Sequence, residues 1–61
     1  MDNAYTKFEQ IYANLPLPQR NEIIVVLDEE PLTWNVAWTE VKNRTTKAEE
    51  IIKKLQILQI L

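Results

Sequence analysis

The order of apolar and polar residues divides the 61-residue chain into four apolar-periodic segments. The breaks between them fall at Pro16, Pro18 and Pro31 and at Asn14 and Asn43, in a chain without a single glycine. Proline interrupts regular structure, and asparagine adopts the left-handed conformation that ends a helix more readily than most residues. We therefore expect one small domain, residues 1–61, built from four short elements.

The first and third segments have the spacing of amphipathic helices. In residues 3–14 and again in residues 33–42, apolar side chains recur every three to four positions. Asp2 or Asn3 can cap the first helix, and Thr33 can cap the other, because short polar side chains accept hydrogen bonds from the free N–H groups of a first turn. Both segments are therefore predicted to be helical.

The fourth segment has the clearest helical pattern. The sequence TKAE predicts a capping box in which Thr46 begins the helix and Glu49 closes its first turn. Glutamate–lysine pairs four residues apart occupy the predicted outer face. The predicted inner face consists of Ala48, Ile51, Ile52, Leu55 and Leu58.

The second segment, residues 18–28, fits two structures. Ile23, Ile24 and Leu27 share one face of a helix that would begin at Pro18, but Val25 and Val26 make that helix apolar on most of its circumference. The run IIVVL, residues 23–27, is also typical of a β-strand. Because a single strand would find no partner among the other segments, we prefer a helix. The expected fold class is all-α, a compact bundle of four short helices.

The last three segments resemble a helix-turn-helix of the winged-helix kind. A helix with the sequence RNEIIVVL would precede the helix capped by Thr33, the short link Asn43–Thr45 and a long helix that ends KLQILQIL. The resemblance implies a helix-turn-helix core with an additional N-terminal helix and without a wing. The stretches LPLPQRNEIIVV and LTWNVAW are also similar to short archaeal proteins that look like accessory subunits of DNA-replication or transcription machinery.

The residue types in the chain disfavour catalysis. There is no cysteine and no histidine, so disulfides, thiolate metal sites and the commonest general base are excluded. Phosphate-binding loops rich in glycine are excluded as well. Asp28, Glu29 and Glu30 are consecutive and are interpreted as a solvated acidic turn. We expect no enzyme activity, no metal and no cofactor.

Apolar content and size instead favour a binding protein. A chain of this length buries only roughly 60% of its unfolded surface, and small folds without disulfides or metals commonly rely on a partner. Trp34 and Trp38 would crowd the core if both were fully buried, since each can bury on the order of 150–250 Å². The commoner arrangement would place Trp38 in the core, with Trp34 covering its edge. The predicted partner-binding residues are Trp34, Trp38, Val25, Val26, Ile57, Ile60 and Leu61.

We therefore expect a protein–protein interaction module, either an accessory subunit of a larger complex or an obligate homo-oligomer. The alternative is a DNA-binding regulator that uses Lys42, Arg44, Thr45 and Lys47 around the link. Residues 1–30 carry a net charge of −4 and residues 31–61 a net charge of +2, so the basic character is only local. No apolar run approaches the roughly 20 residues of a membrane span and no signal-peptide pattern is present, which favours a cytoplasmic protein.

Overall fold

The computed structural model describes residues 3–61 as three α-helices, a short 3₁₀-helix and one β-hairpin. The α-helices are α1 (Asn3–Ala13), α2 (Trp34–Lys42) and α3 (Thr46–Ile57), and the 3₁₀-helix spans Leu17–Asn21. Strands β1 (Ile23–Leu27) and β2 (Glu30–Thr33) form an antiparallel pair between the 3₁₀-helix and α2. The prediction of an all-α bundle of four helices is therefore wrong.

The error lies in the second segment, residues 18–28. Its first part forms the 3₁₀-helix, and the run IIVVL forms β1, because β-branched side chains favour extended backbone. The strand does have a partner, which is the stretch EPLT directly before α2. The first helix of the helix-turn-helix resemblance is thus absent from residues 18–28, whereas α2, the link and α3 are present.

The hairpin register explains why β2 tolerates a proline. Leu27 pairs with Glu30 across a two-residue loop, and Val26 pairs with Pro31. Residues that flank such a loop exchange hydrogen bonds, so the next pair is not hydrogen-bonded. The missing N–H of Pro31 therefore belongs to the outer edge of β2, where no ladder bond is lost.

The core lies between the three α-helices and one face of the hairpin. Phe8 is the largest fully buried side chain, and the inner-face residues predicted for α3 are buried except Leu58, which is 49% exposed. Leu58 follows the last helical residue, where the chain turns away from the core. The buried set is Tyr5, Phe8, Val25, Leu32, Ala37, Val41, Ala48, Ile51, Ile52 and Leu55.

The N-cap of α2 is the residue that the sequence predicts, whereas the N-cap of α3 lies one residue before the predicted one. Thr33 Oγ1 accepts a hydrogen bond from Val36 N (3.2 Å), which confirms the predicted cap. At α3 the capping residue is Thr45 rather than Thr46, since Thr45 Oγ1 accepts from Ala48 N at 3.0 Å. The predicted cap at Asp2 lies outside the described residues.

Helices α2 and α3 both end in a Schellman motif. After α3, Ile60 N donates to Leu55 O (2.9 Å) and Gln59 N donates to Gln56 O (3.0 Å). The residue after the cap is left-handed in both motifs, and it is Arg44 after α2 and Gln59 after α3. Asn43, from which the sequence predicted this conformation, is instead the C-cap of α2 with φ −92°.

The hairpin loop adds two more left-handed residues, Asp28 (φ 49°) and Glu29 (φ 68°). Two consecutive positive φ angles define a type I′ turn, which matches the twist of the strands and normally selects asparagine and glycine. A left-handed conformation costs a non-glycine residue roughly 1–2 kcal/mol. The chain therefore accepts local backbone strain in the hairpin loop and after both α2 and α3.

Glycine at position 59 is expected to stabilise the protein. The change Gln59→Gly removes the steric cost of the left-handed conformation and should raise the free energy of unfolding by about 1 kcal/mol. The matched control is Gln56→Gly, an equally exposed glutamine within α3, which should lower it by about 0.5–1 kcal/mol. Urea unfolding followed by circular dichroism measures both, and a loss of stability in both variants would contradict the left-handed assignment of Gln59.

Candidate interaction surface

Both tryptophans are half-buried and join α2 to α1. The indole of Trp38 stacks on the ring of Tyr12, with 4.8 Å between centroids and 7° between planes. Trp34 packs against Phe8 at 5.5 Å. Stacked aromatic pairs contribute about 0.5–1.5 kcal/mol beyond the burial of their area. Much of each indole is therefore used inside the protein, and the tryptophans are not the most exposed apolar side chains.

A polar network that the sequence did not indicate surrounds Tyr12. The guanidinium of Arg20 lies 4.3 Å from the ring centroid, in a cation–π contact. The Tyr12 hydroxyl donates to Asn35 Oδ1 (2.6 Å), and Asn35 Nδ2 donates to Asn21 Oδ1 (2.8 Å). These contacts fix the 3₁₀-helix against α1 and α2. They join residues up to 23 positions apart, so no local pattern could have revealed them.

The most exposed apolar side chains of β1 and of the C-terminal end of α3 form what we call the β1–α3 surface. Its members Ile23, Val26 and Ile57 are 60%, 51% and 69% exposed, and Leu58 completes it. Of the other predicted partner-binding residues, Ile60 is exposed, whereas Leu61 is partly buried against the core and Val25 is fully part of it. The alternation of the strand explains the difference between Val25 and Val26.

A groove connects the two halves of this surface. It has a volume of about 260 Å³ and an apolar floor of Leu27 from β1 and Ile57 from α3. Its rim carries Asp28 and Glu50 together with Lys53 and Lys54, so both signs of charge border it.

The residues predicted to bind nucleic acid do lie together around the link, but most of them have intramolecular partners. Arg44 forms an ion pair with Glu9 (3.5 Å) and lies over the ring of Tyr5. The Thr45 hydroxyl donates to Glu40 Oε1 at 2.6 Å, in addition to capping α3. Glu40 and Arg44, four residues apart, therefore have separate partners.

The remaining two cations of this group differ. Lys47 Nζ lies 2.6 Å from Glu30 Oε1 of the hairpin, and Lys42 is exposed on the last turn of α2. Carboxylates therefore neutralise two of the three cations around the link. Of the three residues predicted to form a solvated acidic turn, Asp28 and Glu29 do so, whereas Glu30 begins β2 and pairs with Lys47. Within residues 3–61 no cluster of acidic side chains is suited to hold a metal ion.

The contact between α3 and the hairpin can be tested by titrating Lys47, because Lys47 forms an ion pair with Glu30 there. The hydrogen bond to Glu30 raises the pKa of Lys47 above its ordinary 10.5, against a smaller opposing effect of desolvation. Because the pKa is higher in the folded protein, the stabilisation by this pair is complete below pH 10.5 and fades as pH rises through the folded pKa.

We expect the Glu30→Gln variant to return the pKa of Lys47 towards 10.5, as measured by NMR titration of the lysine side chain. Glu49→Gln is the matched control, since it removes a carboxylate from α3 that does not contact Lys47, and it should leave this pKa unchanged. An unchanged pKa in Glu30→Gln would show that the hairpin and α3 do not meet through this pair in solution.

Comparisons with known proteins found no match that bears on this site. No protein-family model, curated protein or solved structure matches the chain, so the resemblance to helix-turn-helix domains stays a prediction. Among the described residues, no helix combines the length and the apolarity that a membrane crossing requires.

Proposed function

We propose that this protein is a non-enzymatic protein–protein interaction module that docks through the β1–α3 surface. The observation that supports this most directly is the exposure of Ile23, Val26 and Ile57, each more than half accessible, on elements that meet at the Leu27–Ile57 groove. Several large apolar side chains exposed on neighbouring elements are a common feature of binding surfaces. The chain also has no histidine or cysteine to activate a nucleophile, which favours binding over catalysis.

The size of the molecule sets how much of it a partner must cover. A stable interface buries about 800 Å² on each partner, and the whole accessible surface here is 4248 Å². The partner would therefore cover roughly a fifth of the surface, which is close to one entire face of a body measuring 28 × 27 × 23 Å. An accessory subunit of a larger complex, or one member of an oligomer, fits this proportion.

Site-specific photocrosslinking tests the proposal. A photoreactive amino acid at position 57 or position 26 is expected to give one discrete adduct in cells of the source organism. The matched control is position 17, because Leu17 is even more exposed (72%) but lies on the 3₁₀-helix. Mass spectrometry identifies the adducts. Equal adducts from all three positions, or none from positions 26 and 57, would refute docking through this surface.

DNA binding by Lys42, Arg44, Thr45 and Lys47 is the alternative proposal. It is supported by the three-residue link between α2 and α3, a length typical of helix-turn-helix units. It is weakened by the ion pairs of Arg44 and Lys47, because a binder that neutralises few phosphates gains little from counterion release.

The two proposals respond differently to substitution. If the protein binds DNA, Lys42→Ala with Lys47→Gln should weaken binding to a mixed-sequence duplex by about tenfold or more at moderate salt, and Val26→Asp should not. If it docks on a protein, Val26→Asp should abolish the photocrosslink from position 57 and the lysine changes should preserve it. Fluorescence anisotropy with labelled DNA provides the first measurement. Binding to DNA that only Val26→Asp weakens would contradict both assignments.

A further inference from the structure

The outer edge of β1 is open. The hairpin has two strands only, so the side of β1 away from β2 has no neighbouring strand in residues 3–61. Val26 faces Pro31 in the pair that is not hydrogen-bonded, so the N–H and C=O groups of Val26 point away from β2. Outside the pairing of β1 with β2, no backbone hydrogen bond described for residues 3–61 uses these two groups. An edge in this state is a template for one more strand.

β1 also lacks the usual features that prevent such pairing. Proteins commonly protect edges with proline, with lysine, with an inward-pointing charge or with a β-bulge. The sequence IIVVL contains no proline and no charge, and its one irregularity, a register shift between Ile23 and Val25, leaves Val25–Leu27 as regular strand. Its residues are four β-branched side chains and a leucine, and Ile23 and Val26 are exposed. The groove between Leu27 and Ile57 lies beside β1, with no residue of β2 in its lining. A strand added to β1 would therefore have a site for one of its side chains.

The charges at the ends of β1 indicate what kind of strand fits. Glu22 precedes β1, and Asp28 and Glu29 follow it, all of them exposed. In the antiparallel self-pairing that aligns all five residues, Ile23 lies opposite Leu27 of a second copy, and Glu22 lies opposite Asp28 at both ends. In-register parallel self-pairing places each of these acids next to its own copy. Like charges opposite each other destabilise strand pairs, so the charge pattern disfavours a second copy.

We propose that the free edge of β1 binds, by strand addition, an extended apolar segment of a partner protein that carries lysine or arginine at both ends. The main chain of the segment would bond to Val26, and one apolar side chain would enter the Leu27–Ile57 groove. Its cations would face Glu22 at one end and Asp28 and Glu29 at the other. Lys53 and Lys54 belong to the α3 side of the groove, where Glu50 balances them in part. This inference rests on the proposed docking function and adds the mode of binding.

A titration of the isotope-labelled protein with synthetic peptides, followed by NMR of the backbone amides, tests the inference. The probe is an alternating valine–threonine peptide as long as β1 with lysines at both ends. Controls are the same peptide with glutamates at both ends and a lysine-ended peptide interrupted by proline. We expect the lysine-ended peptide to shift the Val26 amide resonance and to bind more weakly as salt rises, and we expect neither control to bind.

Three variants separate edge pairing from non-specific apolar association. Val26→Pro removes the outward N–H without affecting a ladder bond, and it should weaken peptide binding by about tenfold. Val26→Thr keeps both the N–H and the β-branched shape and should bind as the unmodified protein does. Glu29→Lys, on an exposed turn residue, should weaken the lysine-ended peptide and strengthen the glutamate-ended one. The amide spectrum of each variant shows whether the hairpin is intact.

The opposite results would overturn the inference. They are equal binding of both charged peptides, no binding of either, or full binding by a folded Val26→Pro variant. Concentration-dependent dimerisation that Val26→Pro abolishes would show that the occupant is a second copy after all. If the peptides fail while the discrete photocrosslink from position 57 persists, docking stands and strand addition is wrong. If the crosslink is absent as well, the docking function itself fails.

Discussion

The interior around Phe8 is filled by ten buried side chains. Its small volume limits how many of the other apolar side chains can be buried. A chain of this length has a high ratio of surface to volume, so roughly 40% of its unfolded surface stays accessible after folding. The largest aromatic groups compete for the little interior there is, and the two indoles settle at its margin against α1. Aliphatic residues on β1 and at the end of α3 are left outside. The apolar surface thus follows from the small size of the core as much as from the composition.

Neighbouring residues of the hairpin contribute alternately to the core and to the exposed surface. Val25 and Leu32 close the core from one side, while Val26, next along the strand, lies in solvent. A shift of one residue would exchange these roles, so the type I′ turn at Asp28 and Glu29 has to hold the register. The backbone strain at these two residues is therefore tied to the placement of Val26. In the proposed strand addition, the acidic charge of the same turn favours a strand with lysine or arginine at its end.

Ion pairs and caps tie the exposed link between α2 and α3 to the neighbouring elements. Arg44 occupies a left-handed position, pairs with Glu9 of α1 and covers the ring of Tyr5. Lys47 reaches back to Glu30 of the hairpin. The basic residues of the link thus act mainly as connections between elements, which explains why the net positive charge of the C-terminal half produces no uncompensated basic face around the link.

The sequence by itself placed α1, α2 and the start of α3, with the N-caps of α2 and α3, to within one residue, because the contacts that form a helix lie three or four positions apart and leave a periodic pattern. It also determined the acidic turn and the excess of apolar residues over available interior. Only the tertiary structure decided that residues 23–27 are a strand, since β1 depends on pairing with EPLT and the local pattern of IIVVL fits both states. It also decided that Val25 is buried and Val26 exposed. The ion pairs of Arg44 and Lys47 could not be predicted from the sequence either. Their carboxylate partners, Glu9 and Glu30, lie 35 and 17 residues away in the chain and are brought close only by packing.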